Sequence, residues 1–339
     1  MALDGIETPV ASQPDNSKVL VKPWIRPKKT LENIECVEPP KIDLSRFDEP
    51  SGKQELAKQL SDAVTRVGFW SVVNTGIVDE RVLRQFSIGN AFFKEPLGEK
   101  RRFLCNFAEG KYFGYRENSR WIGDTGVKEN HRIVEQKWED IASFHRDLSD
   151  KVIRKLFVLI SIILELPENY PTDAHAYDEE SDDHLRYMIY NVRSQEEWDK
   201  AQAYSNGSHT DFGNLALLFS QHVAGLQIRT PEGEWKDVGP VEGGITRNAA
   251  DTLTFLTNGF IKSSIHRVVT PPKDQIDTPR LRLLYFSRPG AKTPMKTPGV
   301  TGTEYVRARV KDVHFKTVLE RREGTSFEFK GLKVQNYYK

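Results

Sequence analysis

The spacing of hydrophobic residues changes character near residue 180. Before that point, apolar residues recur every three or four positions in residues 51–68, 79–96 and 149–167, which predicts three helices. Ser149 or Asp150 is a plausible N-terminal cap of the third helix. The first half of the chain is therefore expected to be mainly helical.

Strand patterns dominate the second half. Short apolar stretches begin at Leu185 and are separated by Gly, Pro, Asn and Asp, which is typical of an antiparallel sandwich or barrel. The six stretches are LRYMIYNVR, GNLALLFSQ, GLQIRTPEGEWKDVGP, DTLTFLTNG, SSIHRVVTPP and RLRLLYFSRPG. Two earlier strands are expected in PPKIDLSRF and FWSVVNTGI, and a last helix at about Val306–Arg321. The patterns predict an α+β protein with a mainly β core.

These patterns divide the chain into four parts. Residues 1–38 are rich in Pro, Lys and polar residues and are expected to be loosely ordered. Residues 39–180 form an N-terminal mixed helical region, 181–300 the β core, and 301–339 a C-terminal helix and tail. We expect 39–339 to be one structural unit.

The composition gives no sign of a nucleic-acid partner, because 49 Lys and Arg face 48 Asp and Glu among 339 residues, a net charge of +1. Two cysteines, Cys36 and Cys105, argue against a disulfide framework and for a reducing compartment. The longest apolar run, Leu156–Leu166, is too short to cross a bilayer, and the polar N-terminus is unlike a signal peptide. We therefore expect a cytoplasmic protein without a nucleic-acid or membrane partner. Its oligomeric state stays open.

His209 and Asp211 are the first candidate metal ligands. Two residues apart on an extended segment, they point the same way, and imidazole with carboxylate suits Fe(II), Mn(II) or Zn(II). Alone the pattern is a weak signal, since a turn Asp beside a hydrogen-bonded His has the same sequence. His266, on a later strand, completes the two-histidine, one-carboxylate set of non-haem Fe(II) oxygenases, although a half-buried strand histidine is the simpler interpretation of that residue alone.

Arg280 and Arg282 begin the stretch RLRLLYFS and should point to the same face of a strand. A guanidinium binds a carboxylate through two parallel hydrogen bonds and keeps its charge when buried, so Arg280 is suited to anchor a dicarboxylate cosubstrate. A surface arginine is the common alternative. The apolar neighbours Leu281 and Leu283 argue against a fully exposed strand.

From about Pro39 to Pro289 the chain resembles the Fe(II)- and 2-oxoglutarate-dependent dioxygenases of the isopenicillin N synthase-like family. The fragments that carry the resemblance are GFWSVVNTGI, AFFKEPLGEKRRF, GYR, KWED, GSHTDFGNLALLFSQHVAGLQI and DTLTFLTNGFIKSSIHRVVTP. Each is modest, but together, in this order, they are highly specific. The chain departs from the family at Thr75, where His is usual, and lacks the usual YPP motif.

The resemblance implies a double-stranded β-helix, also called a distorted jelly roll, with flanking helices. It implies that His209, Asp211 and His266 bind Fe(II), that 2-oxoglutarate and O2 are cosubstrates, and that ascorbate is an additional reductant. The family's R-x-S pattern falls on Arg280 and Arg282, so this chain reads R-x-R. The second arginine is therefore its clearest departure from the family.

Three interpretations of Arg282 stay open. It joins Arg280 on the cosubstrate carboxylate, it binds an acidic substrate or a nearby acidic residue, or a local irregularity turns it to solvent. An uncompensated buried cation is costly, so the first two require an anion. By resemblance, Tyr190 contacts the same carboxylate as Arg280.

The resemblance places Phe286 beside the metal and facing substrate, with Tyr115 and Phe212 as further candidates. Each is also explained as a packing aromatic. Residues 106–130 and the C-terminal FEFKGLKVQNYYK are candidate lids, because long irregular segments in compact proteins are often functional. The implied reaction is hydroxylation, desaturation or ring rearrangement at a C–H bond of a small molecule, in natural-product (secondary metabolite) biosynthesis.

Other functions remain open at this point. A non-haem iron oxidase of the same fold that does not use 2-oxoglutarate would share the metal ligands. A ligand-binding sensor with a vestigial iron site would share them too. A zinc hydrolase is poorly supported, because no general base stands out and Arg280 would have no role.

Overall fold

The computed structural model describes residues 21–106, 113–117, 131–135, 139–168, 170, 175, 177, 180–204, 208–295, 299–315 and 327–334. The helices are α1 (Gly52–Arg66), α2 (Asp79–Lys94), α3 (Leu97–Arg101), α4 (Glu139–Leu148), α5 (Arg154–Ile163), α6 (Gln195–Tyr204), α7 (Asp251–Leu256) and α8 (Gly302–Phe315). The strands are β1 (Cys36–Val37), β2 (Lys41–Asp43), β3 (Phe69–Val73), β4 (Tyr115–Arg116), β5 (His131–Glu135), β6 (His184–Tyr190), β7 (Leu215–Phe219), β8 (Leu226–Arg229), β9 (Trp235–Val238), β10 (Ile245–Ala249), β11 (His266–Val268), β12 (Arg280–Ser287), β13 (Phe327–Phe329) and β14 (Leu332–Val334).

Two facing β-sheets form the centre of the fold. The larger has eight strands in the order β2-β3-β10-β7-β12-β6-β5-β4, and the smaller has four in the order β1-β9-β8-β11. The pairs β2–β3 and β1–β9 are parallel and the other pairs in these two sheets are antiparallel. Phe69 and Leu218 of the larger sheet pack in one cluster with Leu226 and Ile228 of the smaller one. This is the expected jelly-roll arrangement of two packed sheets.

The two faces of the larger sheet have different neighbours. Side chains alternate between faces along a strand, so Leu281, Leu283 and Tyr285 of β12 share one face, which joins the main hydrophobic cluster with helices α1, α2 and α5. We call this the core face. Arg280, Arg282 and Phe286 point to the opposite face, towards the smaller sheet. We call this the metal face, because Asn248 on the same face contacts Asp211, one of the candidate metal ligands.

The helices and strands expected from periodicity in the first part of the chain are largely confirmed. Helices α1 and α2 and strands β2 and β3 fall within the predicted stretches. The C-terminal helix begins earlier than expected, at Gly302, and the predicted segment beyond Phe315 lies outside the described residues. Among all the described residues, no helix combines the length and hydropathy needed to span a bilayer.

Two predictions about individual elements are wrong, and one strand was missed. Ser149 and Asp150 do not cap a helix, because Glu139–Ile163 is continuously helical, with a π-helical turn at Ser149–Ile153. Residues 251–256 form helix α7 instead of a strand. The backbone N–H groups of Asp251 and Thr252 donate to the carbonyls of Asp211 and Gly213, in the segment before β7. Strand β10 was not predicted, because its residues Thr246, Arg247 and Asn248 are polar although the whole strand is buried.

The segment before β2 packs against the body of the protein from residue 21 onwards, although we expected loose order through residue 38. Trp24 stacks on Phe86 of α2 with ring centroids 4.5 Å apart, and β1 pairs with β9. Residues 1–20 lie outside the described part of the chain, as does most of the candidate lid at 106–130.

Candidate metal centre

His209 and Asp211, in the segment before β7, lie together with His266, the first residue of β11 in the smaller sheet. Their candidate ligand atoms are all within 4.8 Å of one another. His209 and His266 are held together by two backbone hydrogen bonds of 3.0 Å, one in each direction, which fix the two rings 4.3 Å apart. Nε2 of His266 lies 4.0 Å from Oδ2 of Asp211. The sequence prediction that these three side chains converge is correct in geometry.

The loop that carries Asp211 is fastened by helix α7. The backbone N–H of Asp251 donates to the Asp211 carbonyl at 2.8 Å, and that of Thr252 donates to the Gly213 carbonyl at 3.0 Å. The Thr252 hydroxyl also donates to the Phe212 carbonyl at 3.1 Å. The stretch that sequence patterns assigned to a strand is therefore the element that positions the carboxylate.

Second-layer hydrogen bonds orient the ligands. Nδ2 of Asn248 donates to Oδ2 of Asp211 at 2.8 Å. Nδ1 of His266 donates to the Ser264 carbonyl at 3.1 Å, since a carbonyl only accepts, and this leaves its Nε2 lone pair directed at the site. Metal-binding histidines are commonly fixed in this way.

The protonation of the site suits a cation. Burial, together with the neighbouring His209, lowers the pKa of His266 to about 4, which keeps its imidazole neutral. Burial alone would raise the pKa of Asp211, but the histidines, the Asn248 hydrogen bond and the charge of Arg288 hold it below its ordinary value. The Asp211 and His266 side chains remain 14% and 12% exposed, so the site is accessible. Two imidazoles and a carboxylate match the donor set that Fe(II) takes in non-haem oxygenases.

Arg280 and Tyr190 face each other further along the metal face. They are directly paired in the antiparallel register of β12 and β6. Arg280 is 7% exposed, and its Nη1 donates to the Gly225 carbonyl at 3.0 Å. Gly225 has a φ of +100°, and a Cβ there would lie 2.7 Å from the Val269 carbonyl oxygen, so a glycine is needed beside the arginine.

Arg282 is also buried on the metal face, with 5% of its surface exposed, which excludes the interpretation that it turns to solvent. Its Cζ lies 5.2 Å from the centroid of the Tyr190 ring. Burial lowers the pKa of both Arg280 and Arg282 from the ordinary arginine value, and the charge of Arg282 adds to the effect at Arg280. The two guanidinium groups are therefore neighbours.

The candidate substrate residues separate into two groups. Phe286 lies on the metal face, stacked on His184 with ring centroids 5.3 Å apart. Phe212 follows Asp211 directly and lies under the guanidinium of Arg288, whose Cζ is 4.1 Å from its ring centroid. Phe212 also packs against the cluster formed by Met295, Val300, Tyr305 and Val306.

Tyr115 is on the wrong side of the sheet for that role. Its cross-strand neighbours Val134 and Tyr187 mark the core face. Its ring packs edge-to-face against Phe92 within the main cluster. A β-strand directs neighbouring side chains to opposite faces, and the irregular sequence around Tyr115 gave no register to predict which face it takes. We therefore do not retain Tyr115 as a substrate contact.

Several residues near the site were not found by sequence reasoning. Asn248 was missed because strand β10 was missed. Arg288 is 2% exposed and also lies 5.1 Å from the Phe286 ring centroid, and Arg186 lies 4.4 Å from the same centroid on the neighbouring strand. The alternation of charged and apolar residues in LRYMIYNVR was the available signal for Arg186.

Comparison with known proteins identifies the family. The model of the N-terminal domain of non-haem dioxygenases of morphine synthesis matches residues 39–158, and the model of the 2OG-Fe(II) oxygenase superfamily matches residues 175–289. The chain belongs to the 2OG-Fe(II) oxygenase superfamily. It is a dioxygenase that uses iron and 2-oxoglutarate, as the sequence fragments predicted.

Individual relatives are similar over most of their length. A UPF0676 protein of Schizosaccharomyces pombe is 28% identical over 283 residues, which cover 76% of this chain and 84% of the relative. Scopoletin 8-hydroxylase of Arabidopsis thaliana is 26% identical over 270 residues, 74% of this chain and 72% of the relative. A full-length Neurospora crassa protein crystallised with α-ketoglutarate, another name for 2-oxoglutarate, and thymine is 25% identical and matches with a TM-score of 0.70, over 84% of this chain and all of its own.

Proposed function

We propose that His209, Asp211 and His266 hold the Fe(II) of this dioxygenase, and that Arg280, assisted by Tyr190, anchors the distal carboxylate of 2-oxoglutarate. The enzyme then oxidises a C–H bond of a small organic molecule bound beside Phe286 and Phe212. The observation that carries the proposal is the convergence of one carboxylate and two imidazoles within 4.8 Å, with Arg280 on the metal face.

Each residue has a physical role in this proposal. The imidazoles of His209 and His266 and the carboxylate of Asp211 provide three ligands, and the remaining coordination positions are left for other ligands. When bound, Fe(II), 2-oxoglutarate and O2 supply the oxidising chemistry, in which 2-oxoglutarate is converted to succinate and CO2. Arg280 fixes the orientation of the cosubstrate, and the aromatic rings of Phe286 and Phe212 exclude water and position the target C–H bond.

The nature of the substrate is supported by the relatives. One is named for the hydroxylation of scopoletin, and the Neurospora crassa protein was crystallised with thymine. Both are small organic molecules. We propose a small organic substrate for this chain as well, with hydroxylation, desaturation or ring rearrangement as the outcome, in natural-product biosynthesis.

The test is anaerobic addition of Fe(II) and 2-oxoglutarate to the full-length protein, with the visible metal-to-ligand charge-transfer band as readout. We expect the band in the parent protein and its loss in His266→Ala. Arg280→Met should bind Fe(II) normally but require about 10- to 100-fold more 2-oxoglutarate, the cost of losing a charged hydrogen-bond pair.

The matched control is Arg229→Met, which removes an exposed arginine from the smaller sheet and should change neither titration. Absence of the band in the parent protein would contradict the proposed metal and cosubstrate sites. Unchanged 2-oxoglutarate affinity in Arg280→Met would contradict the proposed anchor alone.

A further inference from the structure

Arg282 has hydrogen-bonding capacity that the protein does not use. Its Nε and Nη2 atoms are buried and have no hydrogen-bond partner among the described residues. The side chain is 5% exposed, so water at the surface does not replace the missing partners. A buried donor without a partner costs free energy, and a buried charge costs more. Within the described part of the chain, these two donors are therefore left for a bound acceptor.

The missing partner has to be an anion. Within the described part of the chain, no carboxylate forms an ion pair with Arg280 or Arg282. The Tyr190 ring lies 5.2 Å from Cζ of Arg282, and Tyr190 and Asp237 are the groups that favour the charge of Arg280. Two neighbouring cations that repel each other need a shared negative group between them.

The position of the two arginines limits where that anion comes from. Both lie on the metal face, two residues apart on β12, and both are adjacent to Tyr190. The charge of Arg282 also reaches His266, one of the proposed metal ligands. A ligand that extends from the metal along this face would meet both guanidinium groups at the same end.

We propose that Arg282 is a second anchor for 2-oxoglutarate, so that Arg280 and Arg282 clamp its distal carboxylate from two sides. This inference rests on the proposed function, in which that carboxylate lies at Arg280. A carboxylate has about four lone-pair sites and each guanidinium five N–H donors, so one carboxylate accommodates both arginines even though Arg280 already donates to Gly225. The clamp makes the chain select 2-oxo acids by their second carboxylate.

The test is a cycle that changes the arginine and the ligand separately. Anaerobic charge-transfer titrations of the Fe(II)-loaded protein give dissociation constants for 2-oxoglutarate and for 2-oxopentanoate, which has a methyl group in place of the distal carboxylate. We expect Arg282→Met to weaken 2-oxoglutarate binding about 10- to 100-fold and to leave 2-oxopentanoate binding unchanged or tighter. Arg282→Lys keeps the charge without the planar guanidinium, and its affinity for 2-oxoglutarate should lie between those of the parent protein and Arg282→Met.

A second readout does not depend on iron. In thermal unfolding without ligand, Arg282→Met should raise the melting temperature, because an unpaired buried cation is removed. The increase in melting temperature on adding 2-oxoglutarate should become smaller. Arg247→Met is the matched control, since it removes a buried arginine from the opposite face of the same sheet, and its response to 2-oxoglutarate should equal that of the parent.

The outcomes separate the clamp from the proposed function. Equal weakening of both 2-oxo acids in Arg282→Met and Arg282→Lys would show a structural role and overturn the clamp. Unchanged 2-oxoglutarate affinity would also overturn it and would favour an acidic substrate as the partner of Arg282. A parent protein that gives no charge-transfer band with either ligand would instead overturn the proposed function.

Discussion

Judged by the described residues, the larger sheet buries an unpaired arginine on each of its two faces. Arg247, in β10, is fully buried on the core face, and none of its three guanidinium nitrogens has a hydrogen-bond partner among the described residues. Arg282, in β12, is nearly as buried on the metal face, and two of its nitrogens are without partners there. Burial without a partner costs free energy in both places.

The neighbours of the two arginines differ. Arg247 shares a row across the strands with Trp70, Leu217 and Tyr285, so it is enclosed by the main hydrophobic cluster. Arg282 lies beside Arg280 on the metal face. An unpaired buried cation therefore points to a ligand site only where the surrounding groups fit the same ligand. On the core face it is a cost to stability.

The largest expected effect is the loss of Fe(II) affinity when Asp211 is replaced. Asp211→Ala removes the anionic ligand, and we expect Fe(II) affinity to fall by more than the roughly 100-fold that loss of an outer-layer partner can cost. Succinate formation should be abolished. Anaerobic Fe(II) titration measures the change, with the exposed Asp62→Ala as control. Retention of Fe(II) binding in Asp211→Ala would show that the cation binds elsewhere.

The next effect is on the core face, where we expect a mutation to increase the free energy of unfolding, whereas most core mutations decrease it. Arg247→Met replaces an unpaired buried cation by an apolar side chain of similar length, and we expect the free energy of unfolding to rise by about 1–4 kcal/mol. Chemical denaturation measures it, and Fe(II) affinity should not change. A destabilised Arg247→Met protein would mean that the guanidinium has a partner and that the two faces do not differ as argued.

A paired arginine gives the contrasting control. Arg309 is as buried as Arg247, but its Nη2 lies 3.1 Å from Oδ2 of Asp251. Arg309→Met leaves that buried carboxylate without its charged partner, so we expect a loss of about 3–5 kcal/mol. Because Asp251 begins the helix that fastens the Asp211 loop, Fe(II) affinity should fall in parallel.

The sequence was sufficient to predict the position of those site residues that belong to short sequence patterns. His209 and Asp211 are two residues apart, and Arg280 and Phe286 share one strand, so period two and a few motifs were enough to place them on one side. Tyr115 and Asn248 were not predictable in the same way. Their faces depend on the register of β4 and β10, which is fixed by strands distant in the chain.

The core face exposes a different limit of sequence reasoning. Strand β10 contains Thr246, Arg247 and Asn248, and a run of polar residues normally indicates an exposed segment. All three are buried, because the strand lies between β3 and β7 in the middle of the larger sheet. The residues of helix α7 were predicted to be a strand because they form a short apolar stretch between turn residues, and tertiary hydrogen bonds decided their conformation instead.

Asn248 and Arg247 compare the two faces within one strand, because they are adjacent in β10 and Asn248 points to the metal face. Asn248→Ala removes the hydrogen bond to Oδ2 of Asp211. We expect Fe(II) affinity to fall about 10- to 100-fold, as is usual for outer-layer partners of a metal site. If Asn248→Ala changes the free energy of unfolding but not the Fe(II) affinity, Asn248 stabilises the fold and does not support metal binding. The same titration as for Asp211→Ala decides this.

The smallest expected effect comes from a buried ion pair on the core side, His175 with Asp183. Nε2 of His175 lies 2.9 Å from Oδ2 of Asp183, which also accepts a 2.6 Å hydrogen bond from the Tyr285 hydroxyl. Burial alone would lower the pKa of His175, but the charge of Asp183 and their hydrogen bond raise it above its ordinary value. The pKa of Asp183 is held below its ordinary value, against the effect of burial, by the same partner and by Tyr285.

The sign of the pH dependence follows from the histidine. Its folded-state pKa is the higher one, so its contribution to stability is complete below about pH 6.5 and is lost as the pH rises through the folded-state value. The unfolding free energy should therefore decline above pH 6.5 by at most about 1.4 kcal/mol per pH unit, measured by denaturation at a series of pH values. His175→Gln cannot titrate and should flatten this part of the curve. An identical decline in His175→Gln would assign the pH dependence to other groups, and the core face would then carry no charge that responds to pH in this range.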